Sequence, residues 1–387
     1  MAISPSEAHY IIESCLTDFR IDGRTQIEHR PYTITNRSQR FKTTPISNSS
    51  SAPPLILSNG SSRVHLPGST TDILCSVKAD LVHPSSQNPN EGVVELHVDL
   101  SLCGDGVSLG GASSGASKRR RQQREQESQV TSLLQRLVLP HAVNYKELVI
   151  WPGRYVWRLA IDVVVLRCDG CVLDGASIAL REAIRETKLP RVQSLVSLDG
   201  DNSNDDKSSN PNGMSSLGGR ENDLTVDGNI QNALPPSGCQ NCPLVVTVSV
   251  LSAPPSTTGA ITASFSKRNR SIPIVDARAE EEACASSRVC VSVDPSGMVC
   301  GVHTLGGGGV VLSDGGEEEN GAGSSMPFAV LGDIVTTAAM ASKNLYRLLD
   351  RGDGSACSLN KVQSSSNGSG EDASGYGYLL KDHFLIQ

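Results

Sequence analysis

The sequence predicts an α/β or α+β domain, and residues 147–192 carry most of that prediction. The run Tyr155–Arg167 alternates large apolar side chains at period two and is apolar on much of its other face, which is typical of a strand buried on both sides. Asp169-Gly170 then predicts a turn. The next segment changes to a helical period, and Pro190 prevents the helix from continuing. Its small, apolar stripe consists of Ala176, Ala179, Leu180, Ala183 and Ile184.

The 387 residues divide into patterned segments and low-complexity insertions. Ser, Gly, Asn and Pro dominate the insertions, which lie at about 36–57, 104–125, 199–240 and 306–326, and a C-terminal tail at 351–387. The patterned remainder is long enough to bury the core of one compact domain. We therefore expect a single domain, 1–350, interrupted by long disordered insertions and followed by a flexible tail.

Composition excludes several classes of protein. The formal net charge is −7, so bulk charge does not indicate a polyanion-binding chain. The sequence has no apolar run of the ~18 residues that a membrane helix needs, and no apolar signal-peptide core follows Met1. Eleven scattered cysteines without a signal peptide indicate reduced thiols in the cytosol or nucleus.

The remaining elements follow from local patterns. Ser4 or Ser6 can cap an N-terminal amphipathic helix, and Asp22-Gly23-Arg24 comes after it. A second amphipathic helix is predicted around Val130–Val138, and a C-terminal helix at Phe328–Leu349. The other predicted strands are Tyr32–Ile34, Ser62–Leu66, Asp72–Leu81, Val94–Leu100, Leu244–Leu251, Arg288–Asp294 and Met298–Thr304.

The order of these elements, together with a set of short motifs, resembles the RNase PH family, and within it the ring subunits of the eukaryotic RNA exosome. The motifs are Asp22-Gly23-Arg24, Asn90-Glu91-Gly92, Asp169-Gly170, Leu189-Pro190-Arg191-Val192 and Ile274-Val275-Asp276-Ala277 with Glu281-Glu282-Ala283-Cys284. The resemblance spans nearly all of the patterned residues. It does not decide between two related types of ring subunit. It implies an α+β, RNase PH-like fold (ribosomal protein S5 domain 2-like) with mixed sheets packed with helices.

The same resemblance implies where the chemistry ought to be. Active members attack the 3′ end of RNA with inorganic phosphate, which requires fixed cations and an acidic group. By the resemblance, the phosphate-holding arginine corresponds to Leu173, which has no donor to offer. Asp276 and Glu280-Glu281-Glu282 are present, but Ala285-Ser286-Ser287 contribute no later acid. We therefore expect no catalytic residue, no enzyme activity and no cofactor.

A basic run closes the second insertion and is the candidate RNA-binding site. It consists of Lys118, Arg119, Arg120 and Arg121. Such a cluster serves in contact with the RNA backbone or in nuclear import, and the alternative is the solvated tip of a flexible loop.

Two C-x-x-C pairs, Cys168/Cys171 and Cys239/Cys242, raise the question of a zinc site. Their separation is far longer than the usual ~15–20 residues, and Cys168 ends a core strand where a buried thiol is ordinary. We expect no metal site.

The resemblance implies a non-catalytic structural subunit of the hexameric exosome ring, which supports 3′-5′ RNA processing and degradation and guides RNA through the ring channel. The implied partners are other RNase PH-like ring subunits, caps with S1 and KH domains, RNA and a separate processive exonuclease, and no membrane. The implied location is nucleus, nucleolus and cytoplasm. Two alternatives remain: a phosphorolytic exoribonuclease subunit whose active site a partner completes, and a ring paralogue that acts in another complex.

Overall fold

The computed structural model describes residues 3–36, 58–66, 71–103, 116–194, 224–252, 271–306 and 328–350. These residues form an α+β structure in which two sheets pack on a central helix. The predicted tail, 351–387, and most of each predicted insertion lie outside the described residues.

The first sheet has six strands, and its centre is the long strand that the sequence predicts. The strands are β1 (Thr33–Asn36), β2 (Gly60–His65), β3 (Asp72–Val82), β4 (Val93–Asp99), β5 (Val149–Trp151) and β6 (Tyr155–Arg167). Their order is β1-β2-β3-β6-β4, with β5 paired to the start of β6. All neighbours are antiparallel except β4 and β6, which are parallel. The predicted boundaries of β6 and the predicted β2–β3 hairpin are confirmed.

The second sheet has four antiparallel strands in the order β10-β9-β11-β12. A separate pair, β7 and β8, is short and antiparallel. The bounds are β7 (Val192–Ser194), β8 (Leu224–Val226), β9 (Leu244–Ser252), β10 (Ser271–Val275), β11 (Ser287–Val293) and β12 (Val299–Leu305). The first eight residues of β9 are buried, because helices cover both faces of this strand.

Six α-helices complete the described structure: α1 (Pro5–Leu16), α2 (Ala116–Leu137), α3 (Leu139–Ala142), α4 (Val172–Glu186), α5 (Ala279–Cys284) and α6 (Phe328–Asp350). Ser4 caps α1 through its hydroxyl oxygen, which accepts from the Glu7 amide. Helix α1 packs on α5, β9 and β10, and α6 packs on β9, β10 and β11. No helix in the described ranges combines the length and the apolar composition needed to cross a bilayer.

Helix α4 lies between the two sheets and contacts β2, β3 and β9. Every residue from Val172 to Ile184 is buried, because the small stripe predicted from the sequence lets strands approach the helix on more than one side. Polar groups hold it at both sheets: the Ser62 hydroxyl donates to the Ala179 carbonyl, and the Ser177 hydroxyl accepts from the Val245 amide.

The predicted second insertion, 104–125, is wrong at its C-terminal end, since α2 begins at Ala116. Residues 116–125 contain Arg, Gln and Glu, which are good helix formers, and Arg121 and Glu125 pair one turn apart. The polar composition of this stretch therefore indicates an exposed helical surface rather than a loop.

The predicted third insertion, 199–240, also extends too far toward the C-terminus. Residues 224–240 are described, and β8 pairs with β7. Leu189 and Leu234 then exchange both backbone hydrogen bonds, and the Asn144 amide donates to the Ser237 carbonyl. These pairings come from distant parts of the chain, so the local sequence pattern did not reveal them.

A glycine sets the closest approach of β2 to α4, and this contact gives the first testable prediction. A methyl group on Gly60 would overlap the Ala183 carbonyl oxygen and the Thr187 hydroxyl. We expect Gly60→Ala to lower the free energy of unfolding by about 1–3 kcal/mol, because it overpacks a rigid contact. Gly228→Ala is the matched control, since its new methyl group meets open space. Urea unfolding monitored by circular dichroism measures both, and equal stabilities of the two variants would contradict the prediction.

Candidate functional site

The candidate site surrounds the turn that follows β6. Gly170 and Cys171 both have positive φ, 77° and 47°, and the turn packs against the backbone of Ala277 so closely that a methyl group on Gly170 would overlap the Ala277 carbonyl. This contact brings the end of β6 together with the segment between β10 and α5. Because Asp276 lies in that segment and the acidic run Glu280-Glu281-Glu282 follows it in α5, the two predicted signatures meet at one place.

Leu173, the position that the resemblance gives to the phosphate-holding arginine, lies in the first turn of α4. Its side chain is 4% exposed and belongs to the main apolar core. The next residue, Asp174, is fully buried, and its carboxyl group accepts hydrogen bonds from the amide and the hydroxyl of Thr247. Burial raises the pKa of Asp174 to about 8. Neither side chain is placed to contact a phosphate group in solvent.

Asp276 is the centre of a buried polar network. It has a positive φ of 49°, and its carboxylate accepts from Arg30 Nη2 at 2.6 Å, from the Arg30 amide at 2.7 Å and from Arg24 Nη1 at 3.2 Å. The Tyr32 hydroxyl donates to the same carboxylate at 3.4 Å. Burial alone would raise the pKa of Asp276, but the neighbouring arginines, Arg30 foremost, hold it well below its usual range.

Two further acids of the region, Glu281 and Glu282, are also engaged by arginines. Glu281 forms a two-point ion pair with Arg20, with distances of 3.0 and 2.6 Å, and the Arg20 guanidinium also donates to the carbonyls of Val275 and Asp276. Glu282 Oε1 accepts from the Cys171 amide and from Arg288. A bidentate pair of this kind is strong and directional, so it fixes the segment before β1 against α5.

Asp169 completes the network at the end of β6. Its carboxylate lies 3.2 Å from Arg278 Nε and 3.5 Å from Arg30 Nη1, and it also accepts from the Ala279 amide at the start of α5. Arg278 keeps 32% of its side chain exposed and is the most accessible cation of the network. In this network each of four acids binds at least one arginine. These acids are Asp169, Asp276, Glu281 and Glu282.

Sequence reasoning did not single out Arg20 and Arg30, whose acidic partners are far away in sequence, and it also missed His29. Its side chain is 5% exposed, and within the described residues neither ring nitrogen has a hydrogen-bond partner. Burial lowers the pKa of His29 from 6.5 to about 4. Its only sequence signal is a position close to Arg24 and Arg30, so a lone histidine in a loop carried no indication of burial.

The two C-x-x-C pairs are buried parts of the core. The Cys168 thiol donates to the Gly170 carbonyl, and burial raises the pKa of Cys168, Cys171 and Cys242. A raised pKa disfavours the thiolate that binds metal. Within the described ranges, no three His, Cys, Asp or Glu side chains come together in a way that would hold a metal ion.

The basic run lies apart from this network, in the first two turns of α2. The run is therefore helical and not part of a loop, and its role as an RNA contact or as a solvated surface stays open. Arg120 and Arg121 are exposed, and Arg121 Nε lies 2.9 Å from Glu125. Helix α2 packs on β4 and β12, whereas the acidic network joins β6, β10 and α5.

Comparison with known proteins gives a consistent result. Residues 37–190 match the model of the 3′ exoribonuclease family, domain 1, and residues 258–314 match the model of its domain 2. The chain is 28% identical over 213 residues to an exosome complex component Rrp42 from Sulfurisphaera tokodaii, an alignment that covers 52% of this chain and 65% of that protein. It is 28% identical over 191 residues to the exosome complex component rrp43 from Schizosaccharomyces pombe, covering 49% and 59%.

Another relative is an exosome complex exonuclease named RRP42 from Dictyostelium discoideum, 25% identical over 231 residues, covering 50% of this chain and 66% of that protein. The chain thus spans about two thirds or less of the length of these three relatives. Among solved structures, an Archaeoglobus fulgidus exosome with RNA bound to the active site aligns with a TM-score of 0.53 at 17% identity, covering 88% of this chain and 97% of that chain. This likeness concerns the fold.

The charge network gives the second prediction. Asp276→Asn keeps the size of the side chain and suits a positive φ, but it removes the carboxylate closest to Arg30 and one of the two acids that bind Arg24, the other being Asp22. We expect it to lower the free energy of unfolding by about 3–5 kcal/mol. Glu125→Gln, which breaks the exposed pair with Arg121, serves as the control and costs under about 1 kcal/mol. Equal losses in chemical denaturation would show that the buried network contributes no more than a surface pair.

His29 gives the third prediction. Because its folded-state pKa lies below its ordinary value, the unfolded chain binds more protons between pH 6.5 and about 4. The contribution of His29 is therefore fully present above pH 6.5 and is lost as the pH falls, by roughly 3 kcal/mol at most. Urea unfolding from pH 7 to pH 4 should show a shallower fall for His29→Asn, whereas His9→Gln, at an exposed position, keeps the wild-type slope. Identical slopes for all three chains would contradict this assignment.

Proposed function

Because this chain belongs to the 3′ exoribonuclease family of RNase PH-like proteins, we propose that it is a non-catalytic structural subunit of the hexameric ring of an RNA exosome. In this role it supports 3′-5′ processing and degradation of RNA and helps to guide RNA through the channel of the ring. Its partners are other RNase PH-like ring subunits, caps with S1 and KH domains, RNA and a separate processive exonuclease. Its location is the nucleus, the nucleolus and the cytoplasm.

The non-catalytic part of this proposal rests on the residues of the candidate site and their contacts. Phosphorolysis needs a cation that is free to hold inorganic phosphate and an acid that is free to handle a proton or a metal. Leu173 is packed in the core, and the carboxylates of Asp276 and Glu281 are enclosed by arginines. Loss of one preorganised donor costs about 10²–10³ in rate, and here the acids are engaged as well.

Assembly in a ring is supported by the relatives, several of which are named exosome complex components. A subunit whose role is to bind its neighbours needs an intact core but no free catalytic groups. The packed Leu173 and the enclosed carboxylates of Asp276 and Glu281 agree with such a role. The basic run from Lys118 to Arg121 is proposed to contact the RNA backbone or to serve in nuclear import. Its helical form presents Arg120 and Arg121 to solvent.

The second candidate function is a phosphorolytic subunit whose active site a ring partner completes. The family description as a 3′ exoribonuclease and the exonuclease name of the Dictyostelium relative favour it. In this case Arg278, the most exposed cation of the network, is the residue of this chain placed to meet a phosphate group at a subunit boundary.

The fourth prediction separates the two functions. We expect the purified chain, incubated with RNA in phosphate buffer, to release no nucleoside diphosphates, because no cation of its site is both free and aligned with a free acid. Heterodimers with each RNase PH-like ring partner are assayed alongside, with Arg278→Ala as the variant and an active RNase PH enzyme as the positive control. Any release by a heterodimer should survive Arg278→Ala, since it belongs to the partner.

Two results would contradict the non-catalytic proposal. One is phosphate-dependent release of nucleoside diphosphates by the chain alone. The other is release by a heterodimer that Arg278→Ala abolishes while light scattering shows the heterodimer intact. Either result favours the phosphorolytic function.

A further inference from the structure

The N-terminal segment exposes a group of large apolar side chains that the fold leaves uncovered. Tyr10 on α1 is 68% exposed, Phe19 is 75% exposed and Ile21 is 47% exposed. We call these three residues the N-terminal patch. Single exposed apolar residues are normal, whereas a contiguous group marks an interaction site. The next question is whether the patch is contiguous and rigid.

The residue between two members of the patch shows why they face outward. Arg20 is 1% exposed, and Phe19 and Ile21 on either side of it are exposed. This inverts the usual pattern, in which the charged residue faces solvent and the apolar ones face the core. The Arg20 guanidinium is held by both oxygens of Glu281 and by two carbonyls of the β10–α5 segment. Phe19 and Ile21 therefore cannot turn inward without breaking the buried ion pair of Arg20 and Glu281, which is costly.

The end of α1 brings the backbone of Phe19 against Ser14, one turn after Tyr10. The Asp18 amide donates to the Cys15 carbonyl and the Phe19 amide to the Ser14 carbonyl, with Asp18 at a positive φ of 63°. This is a Schellman motif, in which the residue at the place of Phe19 commonly packs on an apolar residue of the last turn. Here that turn offers Ser14 and Glu13, and the Ser14 hydroxyl bonds to the Tyr10 carbonyl one turn earlier. Ser14 thus lies one turn after Tyr10 on the same face of α1, and the Phe19 amide is bonded to Ser14.

The charges around the patch have one sign. Within residues 3–36, the acids Glu7, Glu13 and Asp18 are exposed, and Asp22 is paired with Arg24. The three arginines of the same segment are no more than 9% exposed, because they are directed into the charge network. The patch is therefore an apolar centre with an acidic rim. Such a rim repels the phosphates of RNA and complements a protein surface that carries lysine or arginine around its own apolar centre.

We infer that the N-terminal patch is a docking surface for a neighbouring RNase PH-like ring subunit whose contact surface has an apolar centre and a basic rim. This inference rests on the proposed ring function and names which surface of the chain makes one of the ring contacts. Phe19 is the anchor, since a rigid aromatic side chain at the centre of a contact contributes most of the binding energy. The buried pair of Arg20 and Glu281 presents that anchor in one orientation before the partner arrives, which lowers the entropy cost of association.

The test uses the full chain co-expressed with each RNase PH-like ring subunit of its own organism. Mass photometry over a dilution series gives the dissociation constant of each heterodimer. Phe19→Ser combined with Ile21→Ser should weaken one neighbour by about 30-fold or more, the equivalent of roughly 2 kcal/mol. Met298→Ser is the matched control, because Met298 is 69% exposed outside the patch, and it should leave every dissociation constant unchanged. Glu13→Lys should weaken the same neighbour several-fold and reduce the salt dependence of binding.

The outcomes separate this inference from the proposed function. A wild-type chain that binds no ring subunit contradicts the ring function itself. A wild-type chain that binds, together with a Phe19→Ser, Ile21→Ser variant that binds equally tightly, overturns the docking surface and leaves the ring function standing. Loss of self-association alone would identify a second copy of this chain as the occupant, and loss of RNA affinity alone would identify RNA. Both results would overturn the inference. Thermal unfolding of the variant should match that of the wild type, since both side chains are exposed.

Discussion

The ion pair between Arg30 and Asp276 is the contact on which the arrangement of this protein depends. It joins the segment before β1 to the segment between β10 and α5, and Arg30 also donates to the carbonyl of Asp169 at the end of β6. Three parts of the chain that lie far apart in sequence therefore meet at one buried guanidinium, that of Arg30. Buried pairs seldom stabilise a fold more than apolar packing would, but they are costly to break, so they select one arrangement over its alternatives. Here the selected arrangement fixes the orientation of the N-terminal segment.

The same network affects both the acids of the candidate site and the surface of the N-terminal segment. Arginines that point inward neutralise the acids of the candidate site, and their absence from the surface leaves the N-terminal segment with an acidic exterior. Because Arg20 points inward, the neighbouring apolar side chains of the N-terminal patch point outward in a defined orientation. A single set of charges thus explains both the enclosed carboxylates around Asp276 and the exposed position of Phe19. The enclosed acids and the exposed apolar side chains are therefore physically linked in this chain.

The sequence predicted those elements whose signal is local. The limits of β6 were found because thirteen residues keep a period of two, and α4 was found because its small stripe keeps a helical period. The first half of α2 was missed, since basic and polar residues beside a Ser/Gly tract were read as loop. The partners of Asp276 could not be predicted, because Arg30 lies 246 positions away and nothing local marks either residue as paired. Burial of His29 depends on the same distant contacts.

Helix α4 has a consequence for the way the chain is made. It is synthesised with the first sheet, yet Asp174 and Ser177 bond to Thr247 and Val245 of the second sheet, which lie 73 and 68 positions further along the chain. At synthesis rates of about 5–20 residues per second, one face of the helix waits about 3–15 seconds for its cover. During that interval an apolar surface and the carboxyl group of Asp174 are open to water and to other nascent chains. The position of one helix between two sheets therefore delays the burial of that face until the second sheet has been made.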